Sequence, residues 1–247
     1  MKSKLLLSFA FAIWFVPVFA QTDEIVISAD RPGMATGTDV MPLGGIQWET
    51  GLAFEHLSGS PNTFTLNTSY LRYGLTENAE LHIGMDLLHC NGLSSFSPLT
   101  IGTKVKVVED NGWVPALSFM ANLTSPHIGS PANTPNFLAP QLYLLFQNDI
   151  TDWLNIGYNV GSEWDGFSAQ PTTFAAVCIG ATVTEQVGCF IESYNYFVAG
   201  SADCFLDAGV TWTPTRKLQL DLSAAIDLSA PTNYLWTGIG VAWLINK

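Results

Sequence analysis

Apolar and polar side chains alternate along this chain in stretches of about ten residues, from Gly45 to the C-terminus, and turn residues separate the stretches. In one of them Leu218, Leu220, Leu222, Ala224 and Ile226 interleave with Gln219, Asp221, Ser223 and Asp227. A period of two belongs to a β-strand with two unlike faces. The pattern predicts twelve strands: 45–56, 62–73, 80–90, 97–108, 113–123, 137–148, 153–164, 172–183, 188–197, 202–213, 217–227 and 234–245. The connections alternate in character as well. After even strands they are tight and polar, as in Thr76-Glu77-Asn78-Ala79 and Glu109-Asp110-Asn111-Gly112. After odd strands they are mostly longer, and the longest, Ser125 to Asn136, holds Pro126, Pro131 and Pro135. The connection at Gly200-Ser201 is the short exception. An even strand number, short turns at one end and long loops at the other describe a bacterial outer-membrane barrel with periplasmic termini.

The sorting of the two faces decides between such a barrel and a soluble sheet. The fourth strand sets Ile101, Val105 and Val107 against Lys104 and Lys106, and the twelfth aligns Leu235, Ile239, Val241, Trp243 and Ile245. The opposite faces carry mainly Gly, Ala, Ser, Thr and Asn. A soluble β-sandwich or lipocalin-like barrel also alternates, but its bulky face fills the core and its outer face carries charge. Here charged residues are only 12% of the 247, against roughly 25% in a typical soluble domain. Beyond the first 20 residues no apolar run is long enough for a spanning helix. The predicted fold is therefore all-β: a transmembrane antiparallel up-and-down β-barrel of about 12 strands over 45–247. Trp48, Tyr73, Trp113, Trp153, Trp164, Trp212, Tyr234, Trp236 and Trp243 fall near strand ends, where girdles at the two lipid interfaces are expected.

The N-terminus names the compartment. Lys2 and Lys4 precede an apolar run from Leu5 to Phe19 and then Ala20, which reads as a signal peptide over 1–20 with cleavage before Gln21. Outer-membrane lipid and the barrel-assembly machinery are then expected partners. Residues 21–44, with Asp30-Arg31-Pro32-Gly33 and Met41-Pro42-Leu43-Gly44, are too rich in Pro and Gly to pair as a strand. They are expected as a periplasmic segment that folds partly into the lumen, where Arg31 would meet acidic wall residues.

The signal removes two of the nine basic residues and no acidic ones, leaving seven against 21 in the mature chain. Such an acidic balance excludes nucleic acid as a partner. Cys90, Cys178, Cys189 and Cys204 show no metal-binding spacing, and both free thiols and disulfides fit an exported chain. No cofactor or metal motif occurs.

Charges inside the strands are few. Closing the hairpins at the tight turns sets Arg72 across from Glu80, Lys106 near Glu80, Lys104 near His82, and Glu49 near Arg72. Glu49, Arg72, Glu80, His82, Lys104 and Lys106 thus form one predicted lumenal patch, with Asp86, Glu192, Asp221 and Asp227 extending its acidity. A lipid-facing Lys or Arg costs about 2–4 kcal/mol at the midplane, so the lumen is their place. Two roles fit: a constriction that orients a solute, or a salt-bridged network that rigidifies a narrow barrel. Arg72 and Asn67 fall out of phase unless a bulge intervenes in the second strand. No catalytic site is predicted. His56, His82, His89 and His127 accompany no GxSxG motif, although a lipid-hydrolysing triad need not show in sequence.

Three segments carry a likeness. Asp30-Arg31-Pro32-Gly33, then Pro42-Leu43-Gly44-Gly45-Ile46-Gln47-Trp48-Glu49-Thr50-Gly51, then Leu71-Arg72-Tyr73-Gly74-Leu75-Thr76-Glu77-Asn78-Ala79-Glu80-Leu81 resemble the start of the outer-membrane transporter family of the MetA pathway of phenol degradation. The resemblance covers roughly residues 30–85 and implies an exported barrel linked to uptake of aromatic compounds. It also implies that Arg31, Glu49, Arg72 and Glu80 stand at family motif positions. The chain departs from many outer-membrane barrels by ending Trp243-Leu244-Ile245-Asn246-Lys247 rather than on an aromatic residue. The expected function is passive passage of a small, apolar or aromatic solute. The alternatives are a filled structural or adhesive barrel and, behind it, a barrel lipid hydrolase.

Overall fold

The computed structural model describes residues 26–246, and the predicted signal over 1–20 lies outside the described residues. The described chain contains thirteen strands and no helix. They are β1 (Ile46–Leu57), β2 (Thr63–Thr76), β3 (Ala79–Cys90), β4 (Leu93–Phe96), β5 (Thr100–Val108), β6 (Ala116–Thr124), β7 (Ala139–Thr151), β8 (Leu154–Glu163), β9 (Thr172–Thr184), β10 (Val187–Val198), β11 (Ser201–Thr215), β12 (Leu218–Asp227) and β13 (Tyr234–Asn246). Consecutive strands pair antiparallel, except that β4 and β5 both pair with β3, and β1 pairs with β13 from Ile46↔Asn246 to Leu57↔Tyr234. The sheet therefore closes, and among the described strands only the short β4 has a single strand partner. Both β4 and β5 lie along β3, one after the other, so they form a single stave and the barrel has twelve.

That broken stave corrects the predicted fourth strand, 97–108. Pairing begins at Leu93 and is interrupted over 97–99. The cause is the Asn91-Gly92 turn, whose residues have φ of 53° and 75°. Two left-handed residues in sequence make the tight hairpin that matches strand twist, and Asn-Gly is its strongest signature. The connection after the third strand is thus a two-residue turn and not a long loop.

The faces sort as a membrane barrel requires. Leu52, Leu144, Val177, Ile191, Leu222 and Ile239 point outward with 42–54% of their surface accessible. Gln47, Arg72, Glu80 and Lys104 point inward and have 0% accessible. On β2 the inward phase passes from Thr65 to Arg72, from odd to even numbers, across a register shift between Asn67 and Ser69. This is the bulge that the phase of the second strand required. The four cysteines are free thiols.

Tyr73, Trp153, Trp212 and Trp243 are exposed at the short-turn end, and Trp113 stands fully out on the turn before β6. Tyr234 and Trp236 correct the girdle prediction. They share the inward phase of Ala242 and Leu244 on β13 and line the lumen instead.

A lipid-facing charge tests the sorting. Leu222→Arg, in the middle of β12, is expected to cost about 2–4 kcal/mol in reversible unfolding from vesicles. Thr65→Ser, on β2 and lining the open lumen, should change stability by less than about 0.5 kcal/mol.

Candidate functional site in the barrel lumen

Residues 26–44 run inside the short-turn half of the barrel without joining its sheet. Backbone in such a place must find partners among wall side chains, because water is scarce. The wall supplies them. The N–H groups of Met34 and Ala35 donate to the two oxygens of Glu192, both at 2.8 Å. Asn159 accepts from Thr36 N–H at 2.7 Å and donates to Thr36 carbonyl at 3.1 Å. Glu80 accepts from Met41 N–H at 2.7 Å, and Ser118 donates its hydroxyl to the Thr38 carbonyl at 2.5 Å. At the bottom, Asn246 on the last strand donates to Gly44 carbonyl and accepts from Ile46 N–H.

Glycine on the inward face makes the space. A Cβ at Gly240 would fall on the Arg31 guanidinium, and one at Gly74 would fall on the Pro42 carbonyl. Arg31 can therefore lie flat against the wall and form a two-pronged pair with Asp221, at 3.0 and 3.1 Å.

The charges gather around Arg72. Its guanidinium donates to both oxygens of Glu80 at 2.9 and 3.0 Å, to Glu49 at 3.2 Å and to the Ser28 carbonyl at 2.6 Å. Lys104 donates to both oxygens of Asp30 at 2.7 and 2.9 Å and to the carbonyls of Gly37 and Asp39. Its Nζ is 3.7 Å from Glu80. Two wall cations are thus satisfied partly by the wall and partly by the N-terminal segment. Asp30, absent from the predicted patch, is the segment's main contribution.

Of the predicted patch, the structure brings together Glu49, Arg72, Glu80 and Lys104, and Arg31 meets Asp221 beside them. Lys106 is not in it. It pairs with Asp39 and Glu109 at 3.2 Å, near solvent, while Lys104 takes the place beside Glu80. The register between the third and fourth staves is the reason. The Asn91-Gly92 hairpin and the slip at 97–99 set Glu80 opposite Lys104, and His82 opposite Gly102. Arg72 likewise lies opposite His82, with Glu80 diagonal to it and opposite Gly74. The long guanidine arm bridges that diagonal. His82 is buried, 2.6 Å from Asn122 through Nε2 and 3.8 Å from Glu80 through Nδ1. Asp227 caps the β12–β13 loop through Ser229 N–H, while Asp86 lines the lumen.

Above the segment the lumen opens into a cavity of about 900 Å³. Asp30 to Met34 lie at its floor, and Glu55, Val198 and Asp203 reach its rim at the long-loop end. Its wall is aromatic. Tyr194 stacks on Phe205 with centroids 4.9 Å apart, Phe205 meets Tyr234 at 5.1 Å, and Phe174 meets Tyr196 at 5.4 Å and Tyr143 at 5.9 Å. This group corrects the expectation that the lumenal face holds mainly small polar residues. Its signal was phase: Tyr194 and Tyr196 follow buried Glu192 at steps of two, and Phe205 precedes buried Asp207 by two.

The buried network carries a stability prediction. Arg72→Met leaves Glu49 and Glu80 facing each other without their cation and should cost about 3–5 kcal/mol in urea unfolding from vesicles. Lys106→Met breaks only a solvent-facing pair and should cost less than about 1 kcal/mol.

Comparison with known proteins agrees with this architecture. An outer membrane channel from Pseudomonas putida F1 superimposes with a TM-score of 0.65 at 15% identity, over 87% of this chain and 99% of that one. The KdgM porin in complex with disordered oligogalacturonate gives 0.60 at 10% identity, over 81% and 99%. The NanC porin gives 0.55 at 11% identity, over 79% and 100%. At these identities the likeness is one of fold. No curated protein matches the chain. The sequence itself matches one family model, "Putative MetA-pathway of phenol degradation", from residue 29 to residue 245. That span takes in the N-terminal segment, the Arg72 network and all twelve staves, and the chain belongs to this family.

Proposed function

We propose that this chain is an outer-membrane channel for passive passage of small solutes with an apolar or aromatic body, taken up from the long-loop side. The observation that carries the reading is the aromatic-walled cup of about 900 Å³, which reaches the rim above and ends on the N-terminal segment below. Its volume suits a drug-sized molecule, and its wall offers stacking surface with a few polar groups. Passage requires residues 26–44 to shift. They lie outside the β ladder and are held largely by side chains, so a shift leaves the barrel hydrogen bonds intact. The Arg72 and Lys104 network then serves as the latch of a plug.

The family name and the solved channels and porins support the reading at the level of class. Export through a cleaved signal, insertion by the barrel-assembly machinery and contact with outer-membrane lipid complete it. Passage of this kind needs no catalytic step. Among the described residues, the one His–carboxylate ion pair, His82 with Glu80, is buried, and Nε2 of His82 is taken up by Asn122. The exposed His89 lies 3.0 Å from Ser94 Oγ and has no carboxylate in salt-bridge range. Neither arrangement makes a hydrolytic triad.

Planar-bilayer conductance tests the plug. Removing residues 21–44 should raise single-channel conductance several-fold, and liposome influx of a small aromatic alcohol should rise with it. Unchanged conductance in a correctly inserted barrel would count against a plug. Absence of both conductance and influx in both forms would favour a structural barrel.

A further inference from the structure

The cup is aromatic, but its charge is one-sided. Among its lining residues Arg31 is the only cation, and Asp221 holds it in a two-pronged pair. Five lining carboxylates, Glu55, Asp86, Glu163, Asp203 and Asp207, form no salt bridge among the described residues. Glu163 accepts a hydrogen bond from Tyr143 at 2.8 Å.

Asp207 is the informative member. It is 1% accessible, yet its Oδ1 has no hydrogen-bond partner. It pairs across the sheet with Glu192, whose own oxygens are occupied by Met34 and Ala35 N–H. A buried carboxylate beside another, with a free oxygen, calls for a positive partner. The next positions around the same row are Ala225, Trp236 and Glu55. Ala225 is itself buried between Asp207 and Trp236, and those two side chains border the cup. Phe205 and Tyr234 pack together in the same wall, with Tyr194 on Phe205. Carboxylates between aromatic faces form the environment that recognises an alkylated ammonium: the charge meets the carboxylate and the ring quadrupoles, and the body stacks.

We propose that the lumenal cup binds organic ammonium ions that carry an aromatic or apolar body, with its carboxylates, Asp207 among them, meeting the charge and its rings, Trp236 among them, meeting the body. This rests on the channel reading for the direction of traffic, and it narrows the solute class from apolar or aromatic to cationic amphiphile. It explains why the aromatic cup holds unpaired acids, which a purely hydrocarbon solute would leave unsatisfied.

The test is equilibrium binding, which does not depend on passage. Phenethylammonium, 2-phenylethanol and phenylacetate share a body and differ by one charge at each step. Titration calorimetry on the refolded full-length barrel at pH 7 should give affinities in that order, with the ammonium at least about tenfold tighter than the alcohol. Asp207→Asn should bring the ammonium to within about twofold of the alcohol while leaving alcohol binding unchanged. Trp236→Leu should weaken both. Asp203→Asn at the rim, which cannot disturb the buried row, should lower ammonium affinity modestly and serves if Asp207→Asn fails to fold. Equal affinity for ammonium and alcohol would overturn the proposal, as would methylammonium binding as tightly as phenethylammonium, which would leave a small-cation site only. Selective binding with no influx in liposomes would instead sink the channel reading and leave this site standing.

Discussion

Arg72 is the charge around which the barrel is organised. A twelve-stranded barrel is too wide for its wall side chains to meet across the middle and too narrow to fill with bulk water. A guanidinium in the wall must therefore find its anions nearby or bring them in. Glu49 and Glu80 answer from the wall, while Asp30 and three backbone carbonyls answer Arg72 and Lys104 from the N-terminal segment. The wall is charged because the segment is there, and the segment is held because the wall is charged. Breaking either side strands ions in a place of low dielectric, where the penalty is several kcal/mol.

The same constraint divides the lumen into two chambers with different chemistry. In the lower half, inward glycines at Gly74 and Gly240 make way for the chain, and polar side chains satisfy its backbone. In the upper half the space is lined by rings and left partly empty. The floor of the cup is thus the upper face of the plug, and Glu192 belongs to both: it holds Met34 and Ala35 from below and stands beside Asp207 above.

Much of this was legible in the chain. Alternation at a period of two places the twelve staves to within a few residues, the broken fourth one apart, because one face must meet lipid and a slip of one exchanges every side chain. The position of Glu49, Arg72, Glu80 and Lys104 inside followed from cost alone. What was not legible depended on register across the staves. Lys104 rather than Lys106 stands beside Glu80 because the tight Asn91-Gly92 turn and the break after β4 shift the register by two residues, which strand alternation alone does not specify. Asp30 could not be seen as a partner of Lys104, since nothing local ties an irregular segment to a strand 74 positions on. The aromatic cup is legible in phase but obscured by position, because rings near strand ends are expected to face lipid. Tyr234 and Trp236 carry the inward parity of β13, and parity outweighed position.

The seam between β1 and β13 has a consequence for assembly order. It joins the first strand made to the last, so the cylinder cannot shut until Asn246 has been synthesised and laid beside Ile46. By then residues 26–44 have long been waiting, and their partners are spread over β1, β2, β3, β5, β6, β8, β10 and β12. A chain already lying on the open sheet needs only to be wrapped. The segment thus lies on the axis about which the sheet must close, and it touches strands from both sides of the seam.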